Sequence, residues 1–123
     1  MLKKQILTIS ILYTMALAMV CLVRLNNLPS VGVKNVDKIF HFSSYFVLAL
    51  LWYGTFTLKF SIKYRKAIIY TIFSTVAFGM VIEVLQGALT RHRTFDINDA
   101  MANTFGVLLA MVIVVLKKIT VKN

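Results

Sequence analysis

Acidic residues are scarce in this chain. Asp and Glu number 4 among 123 residues, against 14 Lys and Arg. Cysteine occurs once, as Cys21, so an intrachain disulfide is excluded. It lies inside an apolar run, where a cysteine acts as a small packing residue. The preceding Ala18-Met19-Val20 lacks the small residue expected before a lipidated cysteine. There is no internal repeat, no low-complexity tract and no room for a second domain.

What the chain has in abundance is apolar surface. It is 59% hydrophobic, with a mean hydropathy of +0.82. A soluble domain of this size cannot hide that much. The net charge of +10 would suggest nucleic acid in a soluble protein. Here the cations fall in the gaps between apolar runs, which reflects anionic headgroups and the positive-inside bias. Membrane lipids, not nucleic acid, are the expected partners.

Four apolar stretches run from about 6 to 23, 39 to 58, 67 to 89 and 100 to 116. Each is long enough to cross a hydrocarbon core of about 30 Å as a helix, the fourth only just. In lipid every backbone amide must be paired within its own segment, so helices are the expected form. The reading is all-α: one membrane domain over 1–123, a bundle of four transmembrane helices. The first stretch also fits a signal peptide, with Lys3 and Lys4 ahead of it and Ala16-Leu17-Ala18 resembling a cleavage site. The apolar run continues through Cys21, Leu22 and Val23, which favours a retained helix.

The connections are a loop at 24–38 with the turn formers Pro29 and Gly32, a short basic loop at 59–66 and a polar loop at 90–98. Lys3, Lys4, Lys59, Lys63, Arg65, Lys66, Lys117, Lys118 and Lys122 fall on one side of such a bundle. Arg24, Lys34, Lys38, Arg91 and Arg93 fall on the other. The richer side is expected to be cytoplasmic, with both termini there. Asp37, Glu83, Asp96 and Asp99 then lie in the outer half with His41 and His92, and no acidic side chain faces inward. The expected location is a cell membrane, crossed several times.

Three segments carry polar groups towards this outer end. Asp37 and His41 are four apart and share a helix face, continued by Ser44 and Tyr45. Glu83 sits about 7 Å from the midplane at 1.5 Å per residue. A charged side chain costs roughly 2.5–3.5 kcal/mol at the bilayer centre and less at this depth, so it needs a partner inside the bundle. Gln86 is three residues on. The next loop brings Arg91 and Arg93, whose guanidinium forks suit phosphate or carboxylate but also serve as headgroup anchors. Asp96 or Asp99 opens the last helix, and Asp99, Asn103 and Gly106 form a stripe leading inward. Ala102, Gly106 and Ala110 form a line of small residues that lets another helix approach.

Ordered along the chain, these pieces resemble the VanZ-like family. The residues that carry the resemblance are Asp37-Lys38-Ile39-Phe40-His41, then Glu83-Val84-Leu85-Gln86, then Arg93, Asp96, Asp99 and Asn103-Thr104-Phe105-Gly106. Ala110 stands where a glycine would also be common. The family is named for a small membrane protein that raises resistance to the glycopeptide antibiotic teicoplanin. The resemblance implies a cell-envelope membrane protein with a site at the outer face.

The expected ligand-binding residues are Asp37, His41, Glu83, Gln86, Arg91, Arg93, Asp96, Asp99 and Asn103. The expected ligand is a lipid-linked cell-wall precursor or another anionic headgroup, held without catalysis. The alternative is an intramembrane enzyme acting on a lipid phosphate or pyrophosphate, with His41 and Glu83 as its catalytic candidates. His41 with Asp37, and Glu83 with Asp99, supply types suited to a divalent metal or an acid–base pair. Against the enzyme stand the absence of H-E-x-x-H, of a phosphatase signature and of an activated nucleophile. No cofactor is expected and no metal is assigned. A transporter would need a continuous polar path. Polar groups in the inner half are few, among them Ser10, Thr14, Thr55, Thr71, Ser74 and Thr75.

Overall fold

The apolar runs do form helices, and in each case the helix outruns the apolar stretch. The computed structural model describes residues 2–27, 36–89 and 97–121. Helix α1 spans Leu2–Asn27, α2 Val36–Gly54, α3 Tyr64–Leu89 and α4 Ile97–Val121. All four are long and apolar enough to cross a membrane. Hydropathy marks only the part that suits hydrocarbon. Flanking Lys, Arg and Asn remain helical, because the intrahelical bonds continue into the headgroup zone.

The expected loop at 59–66 is therefore shorter. Helix α2 widens into a single π-helical turn, Thr55–Lys59, and α3 already starts at Tyr64. The widening has a local cause. The Thr55 hydroxyl donates back to the Leu51 carbonyl at 2.9 Å, and that of Thr57 to the Tyr53 carbonyl at 3.0 Å. Both compete for carbonyls that the α ladder uses. The Phe60 amide then bonds the Thr55 carbonyl, five residues back. Ser61, at φ 56, is in the left-handed region and reverses the chain into α3.

Pairings between helices fix the topology. Ser10 meets Thr55 while Tyr13 meets Ser44, so α1 and α2 are antiparallel. Tyr45 packs on Phe78 and Phe56 on Tyr70, so α3 reverses again. Lys38 meets Asp99 and His41 meets Asn103, so α4 runs parallel to α2. One end of this up-down bundle holds the start of α2, the end of α3 and the start of α4. The other holds the start of α1, the 60–63 turn and the end of α4, where the Lys118 ammonium lies over the Tyr64 ring.

The core joins Leu17 and Cys21 of α1 to Tyr45, Leu48 and Ala49 of α2, Ile82 of α3, and Val107, Ala110 and Met111 of α4. Cys21 is buried there as a packing residue. Helices α2 and α4 approach closely at Gly106, where a Cβ would sit 2.3 Å from the Phe42 carbonyl oxygen. Only a glycine admits that distance, and Ala110, fully buried, continues the seam. Outside, Phe73, Met19, Ile69 and Ile119 are more than half exposed. Such a surface suits lipid, not water.

Candidate functional site

The parallel pairing of α2 and α4 puts two helical repeats in step. On α2, Lys38 and His41 are three apart, and on α4, Asp99 and Asn103 are four apart. Each pair shares a face. Docked together they give two contacts a turn apart. The Lys38 Nζ donates to Asp99 Oδ1 at 2.5 Å, and His41 Nδ1 lies 2.9 Å from Asn103 Oδ1. A carboxamide oxygen cannot donate, so Nδ1–H donates to it and Nε2 is left facing the other way. That Nε2 lies 3.7 Å from Asp99 Oδ2, too far for a hydrogen bond.

Helix α3 supplies the third wall. Glu83 is 1% exposed, beside His41 at 2% and Asp99 at 0%. One ligand atom from each of the three lies within 4.8 Å of the others. A turn deeper, α3 passes Asn103 and Tyr45 at Gly79. A Cβ there would meet Tyr45 Cε2 at 3.1 Å and Asn103 Nδ2 at 3.2 Å. The Tyr45 ring stacks on His41 with centroids 6.4 Å apart, and Phe40 meets the same imidazole edge-on at 5.7 Å. His41 is thus held on both sides by aromatic rings and at Nδ1 by an amide. Among the described residues, the Tyr45 hydroxyl and Asn103 Nδ2 are buried without a hydrogen-bond partner.

Burying carboxylates in a membrane bundle is costly unless charge compensates them. For Asp99 the compensation is visible. Its carboxylate lies in the first turn of α4, where the helix dipole favours an anion, and Lys38 pairs with it. The Lys38 side chain is 33% exposed and enters from the rim.

Of the residues singled out in the sequence, His41, Glu83, Asp99 and Asn103 come together from three helices. Asp37 lies in the first turn of α2 and Gln86 in the last two turns of α3, but their side chains are outside the described residues. Arg91, His92, Arg93 and Asp96 lie outside them altogether. The sequence reading missed three participants. Lys38 was counted as a loop cation, although its i, i+3 spacing to His41 placed it on the same face. Tyr45 was read only as extending that face. Gly79, four residues before Glu83, carried the signal of a small residue on the same face as a buried acid.

The chain as a whole is similar to other proteins. The VanZ/LLP1 family model matches residues 4–118. An uncharacterised protein of the fission yeast Schizosaccharomyces pombe is 37% identical over 89 residues, covering 72% of this chain and 52% of that protein. The chain thus spans about half the length of this relative. No solved structure matches. With the family model covering nearly the whole chain, and with the His41, Glu83 and Asn103 cluster assembled across its helices, the chain belongs to the VanZ/LLP1 family.

Proposed function

We propose that this protein is a multi-pass membrane protein whose polar end binds the phosphate-bearing headgroup of a lipid. The observation that supports this best is the convergence of His41, Glu83 and Asp99 at one end of an otherwise apolar bundle, where a headgroup would lie. Arg91 and Arg93, in the segment between α3 and α4, supply guanidinium forks for the phosphate oxygens. In a bacterial envelope the bound group would be a lipid-linked cell-wall precursor, and altered glycopeptide susceptibility its output. The match to a fission-yeast protein favours a ligand class that eukaryotic membranes also contain, such as phospholipids.

A second reading is favoured by the same convergence. An imidazole and two carboxylates within 4.8 Å are also the parts of an acid–base or metal-dependent site acting on a lipid phosphate or pyrophosphate. The two differ in turnover. Native mass spectrometry of the purified chain should show a phosphate-bearing lipid retained in defined stoichiometry. Replacing Arg91 and Arg93 together by lysine should reduce that retention, because the bidentate fork is lost. Retention unchanged in the double lysine variant would remove the arginine anion site. Release of inorganic phosphate would favour the enzyme.

The cation bias of the connections supports an outward-facing polar end. Single cysteines at Asn27 and Tyr64, in a Cys21→Ala background, should label from opposite sides. Labelling of Tyr64→Cys alone by an impermeant reagent in intact cells would invert this orientation.

A further inference from the structure

Three buried side chains that can each offer a ligand atom to a cation meet at this end: His41, Glu83 and Asp99. From the geometry we infer that His41, Glu83 and Asp99 bind one divalent cation of the Mn²⁺ or Zn²⁺ type, which bridges the protein to the phosphate. The cation site stands on the three side chains alone. Only the bridging step rests on the headgroup reading.

Distance carries the first part of the case. Ligands held about 2.0–2.2 Å from one metal lie roughly 3–4 Å from each other. The three ligand atoms here lie within 4.8 Å, so a contraction of under about 1 Å closes the site. The 3.7 Å between His41 Nε2 and Asp99 Oδ2 is too long for a hydrogen bond but matches two ligands of a shared ion. Orientation carries the second part. A ligating histidine usually donates its other ring N–H to a fixed acceptor, which sets its tautomer. Asn103 Oδ1 accepts from Nδ1–H at 2.9 Å, which leaves Nε2, the ring nitrogen 3.7 Å from Asp99 Oδ2, as the one that would ligate. Lys38 holds Asp99 Oδ1 and leaves Oδ2 towards His41. Tyr45 and Phe40 fix the imidazole plane.

The donor set indicates the ion. One imidazole nitrogen and two carboxylate oxygens suit Mn²⁺ or Zn²⁺, whereas Ca²⁺ prefers six to eight oxygens. A bound dication would add two positive charges at the cluster and offer its remaining coordination positions to phosphate oxygens.

The test uses the full chain purified in detergent, stripped with a chelator and dialysed against Mn²⁺ or Zn²⁺. Elemental analysis should find about one cation per chain, as three converging protein ligands require. Electron paramagnetic resonance of the Mn²⁺ form should show nitrogen coupling from His41. Glu83→Gln and His41→Ala should each weaken binding by more than about tenfold, and Asn103→Leu by about 10–100-fold as an orienting residue. Should His41→Ala fail to accumulate, Glu83→Gln, nearly the same shape, carries the comparison. Wild-type protein that holds no more cation than Glu83→Gln, or bound Mn²⁺ without nitrogen coupling, overturns the site. Titration of a short-chain phosphatidic acid, with and without Mn²⁺, separates the two claims. Cation-independent lipid binding by protein that takes up no cation sinks the cation and leaves the headgroup reading. Stoichiometric cation with no gain in lipid affinity keeps the site and removes the bridge.

Discussion

At the end of the bundle where α1 begins, Ser10, Thr14, Trp52 and Thr55 satisfy one another. The Ser10 and Thr55 hydroxyls lie 2.7 Å apart, Ser10 donates to the Leu51 carbonyl at 3.1 Å, and the Trp52 indole donates to Thr14 at 2.8 Å. At the opposite end, Lys38, His41, Glu83, Asp99 and Asn103 are likewise gathered between helices. Both clusters join α2 to a neighbour across an apolar bundle. The first does so with neutral hydroxyls and one indole. The second uses ionisable groups, at roughly 2.5–3.5 kcal/mol per charge near the bilayer centre. Neutral side chains evidently suffice to hold these helices together. The carboxylates at the other end therefore ask for a purpose beyond adhesion.

The largest expected effect tests that purpose directly. Glu83→Gln keeps the shape but removes the charge of a carboxylate and replaces one acceptor oxygen by a donor. It should abolish function, scored against a deletion phenotype, while the protein still inserts and accumulates. A variant with normal abundance and a normal phenotype would erase the contrast between the ends and leave Glu83 as helix glue.

Next in size is the seam that brings the charged groups into register. At Gly106 a Cβ would lie 2.3 Å from the Phe42 carbonyl oxygen, a backbone atom that cannot swing aside. Gly106→Ala should separate α2 from α4 and cost about 1–3 kcal/mol, as overpacking does. Because His41–Asn103 and Lys38–Asp99 cross the same seam, function should fall with stability. Gly79→Ala is milder. Its Cβ would meet Tyr45 and Asn103 side-chain atoms at 3.1 and 3.2 Å, which can shift by a few tenths of an ångström. Thermal unfolding of both variants in the same detergent should rank them in that order.

Much of this contrast was legible in the sequence. An acid within an apolar run must face the bundle, and Glu83 does. Asp99, Asn103 and Gly106 lie on one face by spacing alone, and all three are buried. The apolar runs located the helices, although their ends shifted by several residues because hydropathy reports solvent, not hydrogen bonding. Charge counting could not see that Lys38 belongs to the site. A cation beside a helix start reads as a loop residue until a partner is known, and Asp99 is 61 positions away. The π-helical turn was hidden too, since it arises from threonine hydroxyls competing with amides, which no apolar period records.

Lys38 offers an intermediate test of how the charged end is held. Its bond to Asp99 is charge-assisted, and such bonds contribute about 1.5–3 kcal/mol. Lys38→Met should lower stability by about that amount, nearer the low end because the lysine is 33% exposed. Combining it with Asp99→Asn should restore part of the loss, since position 99 then carries no charge left without its ammonium. If the single and double variants unfold alike, the ion pair is incidental and Asp99 is stabilised mainly by the α4 terminus.

The smallest expected effect belongs to the neutral end and completes the comparison. Ser10 and Thr55 are fully buried, and their hydroxyls are within 2.7 Å. Interhelical hydrogen bonds of this type in membranes contribute about 0.6 kcal/mol on average and up to about 1.7. Both hydroxyls also reach the Leu51 carbonyl, and with one proton apiece one donates there while the other donates across the pair, so removing either leaves the remaining hydroxyl free to bond that acceptor. Ser10→Ala and Thr55→Val should therefore each shift unfolding only slightly, and a double-mutant cycle should return a coupling of about 0.6–1.7 kcal/mol. Neither substitution should alter lipid retention or cation binding at the far end. Loss of either activity in Thr55→Val, with the helices still assembled, would mean that the two ends communicate along α2. The hydroxyl network would then be part of the functional machinery and not a passive clasp.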